Sequence, residues 1–168
     1  MTGAGSARIV LSPNEGERVQ FGGLGVRFMI EGVQSGGTFA LVEHPIEPRV
    51  LAAPMHTHER EDEYSLVLEG RVGAQIGDDV VVAGPGELIR KPRGIPHAFW
   101  NAGDERARLL ELIAPAGFEA YFAEMAPILN AEGPPDVVAL REVQGRYGLT
   151  MDMTSVDRLA REHDLAVA

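Results

Sequence analysis

There is no cysteine anywhere in these 168 residues. Disulfides, thiolate nucleophiles, cysteine-ligated zinc and iron–sulfur clusters are thereby excluded together. Positive charge is scarce as well: 15 Lys plus Arg stand against 25 Asp plus Glu, a net charge of −10. Sequence-independent binding to phosphate backbones needs clustered cations, so nucleic acid is not an expected partner. Lysine occurs once, as Lys91. No apolar run approaches the roughly 20 residues that span a bilayer. Residues 1–8 carry no long apolar stretch of the kind a secretory signal needs. Together these absences lead to the expectation of a soluble cytoplasmic protein that does not engage membranes.

What is present fits one domain with a real core: 45% of the residues are apolar and 24% charged. Glycine and proline are dense, 20 and 11 in all, and those in the first two-thirds of the chain separate short apolar runs at residues 26–30, 38–42, 64–68, 80–82 and 109–113. Runs of that length, rich in β-branched residues and separated by turn chemistry, predict antiparallel strands of a sandwich or barrel. After Pro115 the period changes. Phe118, Tyr121, Phe122 and Met125 fall at i, i+3, i+4, i+7, a helical stripe read as core packing. A second helix is expected from Pro135-Asp136 to Gly148 and a third from Thr154, where Thr154 and Asp157 resemble a capping box. The expected organisation is mainly β: a barrel over residues 1–115 and an extension of about three helices, 116–168, packed on it.

Chemistry concentrates in the histidines. His56 and His58 flank Thr57, so on an extended strand both imidazoles project from one side. Five positions on, Glu63 opens an apolar segment whose inward face it shares with Ser65 and Val67. A carboxylate aimed into a core needs a partner there, and neutral imidazoles holding a divalent cation would provide one. Glu59, Glu61 and Asp62 read as a solvated acidic turn, and Arg90, Lys91 and Arg93 as a solvated turn on the rim. His44 and His163 have no partner pattern.

This arrangement resembles the cupin superfamily. The family's first motif, a Gly, five residues, HxH, three or four residues, Glu, six residues and Gly, is matched by His56, His58, Glu63 and Gly70, with Val50 in place of the leading glycine. The second, a Gly, five residues, PxG, two residues, His, three residues and Asn, is matched throughout by Gly86, Pro92, Gly94, His97 and Asn101. The resemblance spans roughly residues 22–115. It implies a jelly-roll β-barrel in which His56, His58, Glu63 and His97 converge on one divalent transition metal ion. Three imidazoles and a carboxylate form a borderline donor set, suited to Fe, Mn, Ni, Cu or Zn.

By strand parity Phe99 lies on the same side as His97, as pocket wall or plain core, while Trp100 faces away. Ser65 either leaves space near the ion or is a hydrogen-bonded barrel serine. Asn101 is expected to tie down a turn. Parts of the chain outside the motif positions are similar to bacterial cupins related to flavonol (quercetin) dioxygenases. That similarity implies an enolic or phenolic small-molecule substrate, with Glu63 as ligand and general base. A non-redox lyase or isomerase and a non-catalytic binding protein are the alternatives. Cupins commonly pair, so a homodimer is expected.

Overall fold

Runs rich in Val, Ile and Leu, cut every few residues by Gly or Pro, have only a strand's length in which to hide their side chains. The computed structural model describes residues 9–167, which form twelve strands and four helices. Residues 1–8, on which the reading of no secretory signal falls, lie outside the described residues. One antiparallel sheet runs β1 (Arg18–Phe21), β2 (Leu24–Ile30), β3 (Ala40–Ile46), β10 (Ala107–Ala114), β5 (Asp62–Glu69) and β8 (Leu88–Lys91). The second runs β11 (Leu149–Met151), β4 (Val50–His58), β9 (His97–Asn101), β6 (Val72–Ile76) and β7 (Asp79–Ala83), with β12 (Ala166–Val167) parallel to the start of β4. Four helices complete the chain: α1 (Gly32–Ser35), α2 (Glu119–Leu129), α3 (Val137–Arg146) and α4 (Ser155–His163). Among the described residues no helix is long and apolar enough to cross a membrane.

The two sheets face each other across a core of Leu24, Ile46, Val67, Ala74, Ile89, Phe99 and Leu109, the layering of a jelly roll. Strand alternation aims β10 so that Ala107, Leu109, Glu111 and Ile113 all point inward. The register then sets Glu111 opposite Ser65 and Glu63 opposite Lys91. One inner face that should be apolar therefore carries five buried polar residues: His44, Glu111, Ser65, Glu63 and Lys91.

The chain after residue 115 packs in two places. The helical stripe Phe118, Tyr121, Phe122 and Met125 packs with Val26, Phe28 and Val42 of the first sheet. On the outside of the second sheet, Leu159 of α4 and Leu165 pack with Leu51, Met55 and Trp100. This segment is not purely helical, as the sequence reading has it. β11 and β12 add three and two residues to the edge of β4, too short to show a period but enough to pair that edge. Asp136 caps α3 as expected, accepting from the amides of Val138 and Ala139. The capping box at Thr154 does not form. Its hydroxyl and its amide both donate to Asp152 Oδ1, and its oxygen makes no cap bond.

Asn101 ties down the turn after β9: its amide donates to the carbonyls of Ile46, Glu47 and Glu105, and its oxygen accepts from Gly103 N–H. Trp100, on the outer side of β9, stacks on His163 at 4.1 Å between centroids and lies flat over Gly73 of the neighbouring strand. A Cβ at Gly73 would stand 2.2 Å from Trp100 Nε1. Trp100 is fully buried and cannot retreat. Gly73→Ala is therefore expected to lower unfolding stability by about 2 kcal/mol or more through overpacking, read as a lower denaturation midpoint in urea.

Candidate metal centre

β4 delivers His56 and His58 to the inner face, with Thr57 between them paired to Thr150 of β11. A register shift in β4 brings His56 directly opposite His97 of β9, and Glu63 enters from the first strand turn of β5. Ligand atoms of these four residues all lie within 4.8 Å of one another, and all four are buried. The ring centroids of His56 and His97 are 4.3 Å apart, and those of His58 and His97 are 5.4 Å apart.

The tautomers follow from the outer partners. His56 Nδ1 lies 2.8 Å from the Pro54 carbonyl and His97 Nδ1 lies 3.0 Å from the Ile95 carbonyl. A carbonyl only accepts, so each Nδ1 carries its proton and each Nε2 offers a lone pair. His58 Nδ1 faces the Glu61 carboxylate at 3.6 Å, and neither nitrogen of that ring has a hydrogen-bond partner. Its Nε2 lies 3.4 Å from Glu63 Oε1, while His97 Nε2 lies 3.2 Å from Glu63 Oε2. The Nε2 lone pairs of His56 and His97, the unpartnered His58 ring and a carboxylate thus converge. A cation satisfies all four at once, so the donor set fits a divalent metal ion with nitrogen and oxygen preference. Burial, then the neighbouring imidazoles His97 and His58, hold His56 well below its ordinary pKa; burial and Lys91 lower His97. Both stay in the neutral form that ligation requires.

Lys91 and Glu61 overturn the sequence reading. Lys91 is 1% exposed, not solvated on the rim: strand alternation on β8 turns it inward, while Arg90 faces out. Its ammonium lies 2.9 Å from Glu63 Oε2 and 2.8 Å from Glu111 Oε2, and 4.6 Å from the Phe99 ring centroid. Glu61 is buried against His58 rather than solvated, whereas Asp62 stays partly exposed in an ion pair with Arg93. Sequence reasoning missed Glu111 altogether. The available signal was a lone glutamate inside the apolar run Leu109-Leu110-Glu111-Leu112-Ile113, sharing the parity of Leu109 and Ile113.

One ammonium between two carboxylates divides their behaviour. Burial raises Glu63, but Lys91, His58 and the His97 contact outweigh it and hold the carboxyl well below its usual range. For Glu111 burial dominates, Lys91 offsets it only in part, and the group is pushed up to about 7. Burial would lower Lys91, yet Glu111 and Glu63 raise it. Ser65 donates to Glu111 Oε1 at 2.9 Å. It acts as a partner of that carboxylate and is not part of the cavity wall.

The cavity itself holds about 360 Å³, and His56, His58, Glu63, Glu111 and Phe99 reach its wall. Phe118, Tyr121, Phe122 and Met125 from the α2 segment close it, with the Phe118 ring edge-on to His58 at 4.3 Å. The aromatic stripe is therefore core and cavity wall at once. A larger, open depression of about 450 Å³ over β7 and β8 includes none of the four clustered residues, so the chemistry belongs to the smaller cavity.

Comparison with known proteins agrees with this geometry. The family profile described as "Cupin domain" matches residues 43–113. No curated protein sequence matches the chain. The solved structure of KdgF from Halomonas sp. superposes with a TM-score of 0.58 at 14% identity, covering 66% of this chain and 96% of that one. A predicted oxalate decarboxylase from Thermotoga maritima gives 0.58 at 18%, covering 64% and 99%. A sugar phosphate isomerase from Silicibacter pomeroyi gives 0.55 at 22%, covering 62% and 74%. At these identities the likeness is one of fold.

Two stability measurements check the buried charges. The pKa of Glu111 is higher folded than unfolded, so its contribution is complete below about pH 4.5 and is lost as pH rises through about 7. In metal-free protein, Glu111→Gln is expected to abolish this decline, flattening the pH 5–8 unfolding profile by on the order of 2–3 kcal/mol. Lys91→Met, which strands two carboxylates, is expected to cost about 3 kcal/mol or more at pH 8.

Proposed function

Because residues 43–113 match a cupin-domain profile, we propose that this chain is a cupin and a metal-dependent, dioxygenase-like enzyme acting on a small enolic or phenolic molecule. The observation that carries the reading is the convergence of four ligand residues, His56, His58, Glu63 and His97, three of which, His56, His58 and Glu63, reach the wall of a mostly apolar cavity large enough for a small molecule. Structural metal sites close their coordination shell within the protein; this one borders open space. A divalent Fe, Mn, Ni, Cu or Zn ion held there would supply Lewis-acid polarisation of an oxygen donor and, where redox-active, electron exchange with dioxygen.

The chain's own residues do the rest. Glu63 would hold the substrate's hydroxyl proton at Oε1, while Lys91 keeps Oε2 hydrogen-bonded. Phe99, Phe118 and Phe122 exclude water and give an aromatic substrate its contact area. A non-redox lyase or isomerase working on the same ion is the alternative. A sugar phosphate is disfavoured, since no lysine or arginine lines the cavity among the described residues and Lys91 is enclosed by two carboxylates. The proposal includes a cytoplasmic homodimer. Val80, Val81 and Val82 are exposed on β7, the edge strand of its sheet, and offer an apolar seam to a second subunit.

Protein purified without chelator is expected to hold one metal equivalent per chain by elemental analysis. His97→Ala should lose it while keeping the fold, and retained metal would refute the ligand assignment. With Fe²⁺ or Mn²⁺ loaded, oxygen uptake is expected on addition of a flavonol, catechol or 1,3-dicarbonyl. Turnover without oxygen would favour the lyase reading. A chain that cannot be loaded with any divalent ion would sink every catalytic version.

A further inference from the structure

His44 is 1% exposed and belongs to none of the clusters so far assigned. It projects inward from β3, opposite Leu109. Its Nδ1 lies 3.0 Å from the Gly25 carbonyl, so that nitrogen carries the proton and Nε2 is an acceptor. Among the described residues Nε2 has no hydrogen-bond partner. It is not sealed by protein either, in contrast to His163 Nε2; the residue forms part of the cavity wall. An unmet acceptor on the wall of a mostly apolar pocket is a site for a donor supplied from outside.

The surroundings define that donor's carrier. The His44 ring packs edge-on to Phe122 at 5.3 Å and lies 6.1 Å from Phe99. Phe122 meets Phe118 at 5.5 Å, and Phe118 meets His58 at 4.3 Å, so a wall of rings runs from the metal group to His44. Glu111, the other buried polar group on that side, already receives Ser65 and Lys91. Burial holds His44 down at about 4, which keeps it neutral and acceptor-only at ordinary pH. Among the described residues no lysine or arginine lines the wall, so near His44 nothing in the protein pairs with an anionic ligand group.

We propose that His44 is a substrate-recognition residue whose Nε2 accepts a hydrogen bond from a hydroxyl or N–H of a neutral aromatic ligand packed against Phe99 and Phe122. Ligands with this donor are selected over analogues that carry only an acceptor. The placement of the ligand's other end at the metal group rests on the function proposed above; the donor preference does not.

The test compares 2-naphthol with 2-methoxynaphthalene, of nearly the same shape but without the donor, by calorimetry on the zinc-loaded protein. Wild type is expected to prefer 2-naphthol about tenfold, the scale of one neutral hydrogen bond. His44→Phe should bring the two within twofold at unchanged zinc content. His97→Ala should lose zinc and keep the preference. A preference that persists in His44→Phe, or disappears in His97→Ala, assigns the hydroxyl to another group and overturns the proposal. A preference seen in a chain that never binds zinc overturns the metal reading and leaves this one standing. Should His44→Phe not fold, the wild-type ¹⁵N resonance of His44 Nε2 decides. It is expected to move upfield with 2-naphthol and not with its methyl ether; an unmoved resonance refutes the contact.

Discussion

Three imidazoles and a carboxylate face one another inside a barrel, and most of what surrounds them makes sense only under that constraint. His56 and His97 are each oriented by a backbone carbonyl at Nδ1, while His58 faces the Glu61 carboxylate at 3.6 Å without a hydrogen bond. Both carbonyls come from two residues earlier in the chain, Pro54 within β4 and Ile95 in the turn before β9, so the backbone leading into each ring also orients it. Lys91 then stabilises the carboxylate side of the cluster. Glu63 and, above about pH 7, Glu111 share the single ammonium of Lys91, and the negative charge in excess of it would be neutralised in turn by a divalent cation at the histidines.

The cavity depends on a different part of the chain. The sheets alone bring the polar groups together, but the wall opposite them comes from the α2 segment, whose Phe118 touches His58 and whose Phe122 touches His44. Ligand set and pocket thus come from separate stretches of sequence and meet only through tertiary packing. That division explains how a common barrel supports different chemistries: the ring wall and the polar side chains around it can change without moving the ligands.

The four clustered residues were readable because each sits at a fixed spacing on a strand or turn, and spacing is what a linear sequence records. The helices after Pro115 were readable from their 3.6-residue period. Lys91 was not. Its neighbours Arg90 and Arg93 are solvated, and nothing local distinguishes a lysine turned inward from one turned out until the register with Glu63 is known. Glu111 was hidden for the opposite reason: a single charge in an apolar strand reads as a surface-facing interruption, and only pairing with Ser65 reverses that. His44 needed sheet pairing with β2 and β10 and the docking of α2 before its surroundings were defined. β11 and β12 are shorter than any period. Each of these misses is a property of pairing between distant segments rather than of local pattern.

Trp100 is the only indole in the chain, and its position gives the molecule an intrinsic optical probe. It lies on the reverse of β9, the strand that carries His97, and is stacked on the His163 ring of the last helix. Its emission therefore reads two things from one place: whether the C-terminal helix is seated on the barrel, and whether a paramagnetic or absorbing ion has arrived on the other side of a single strand.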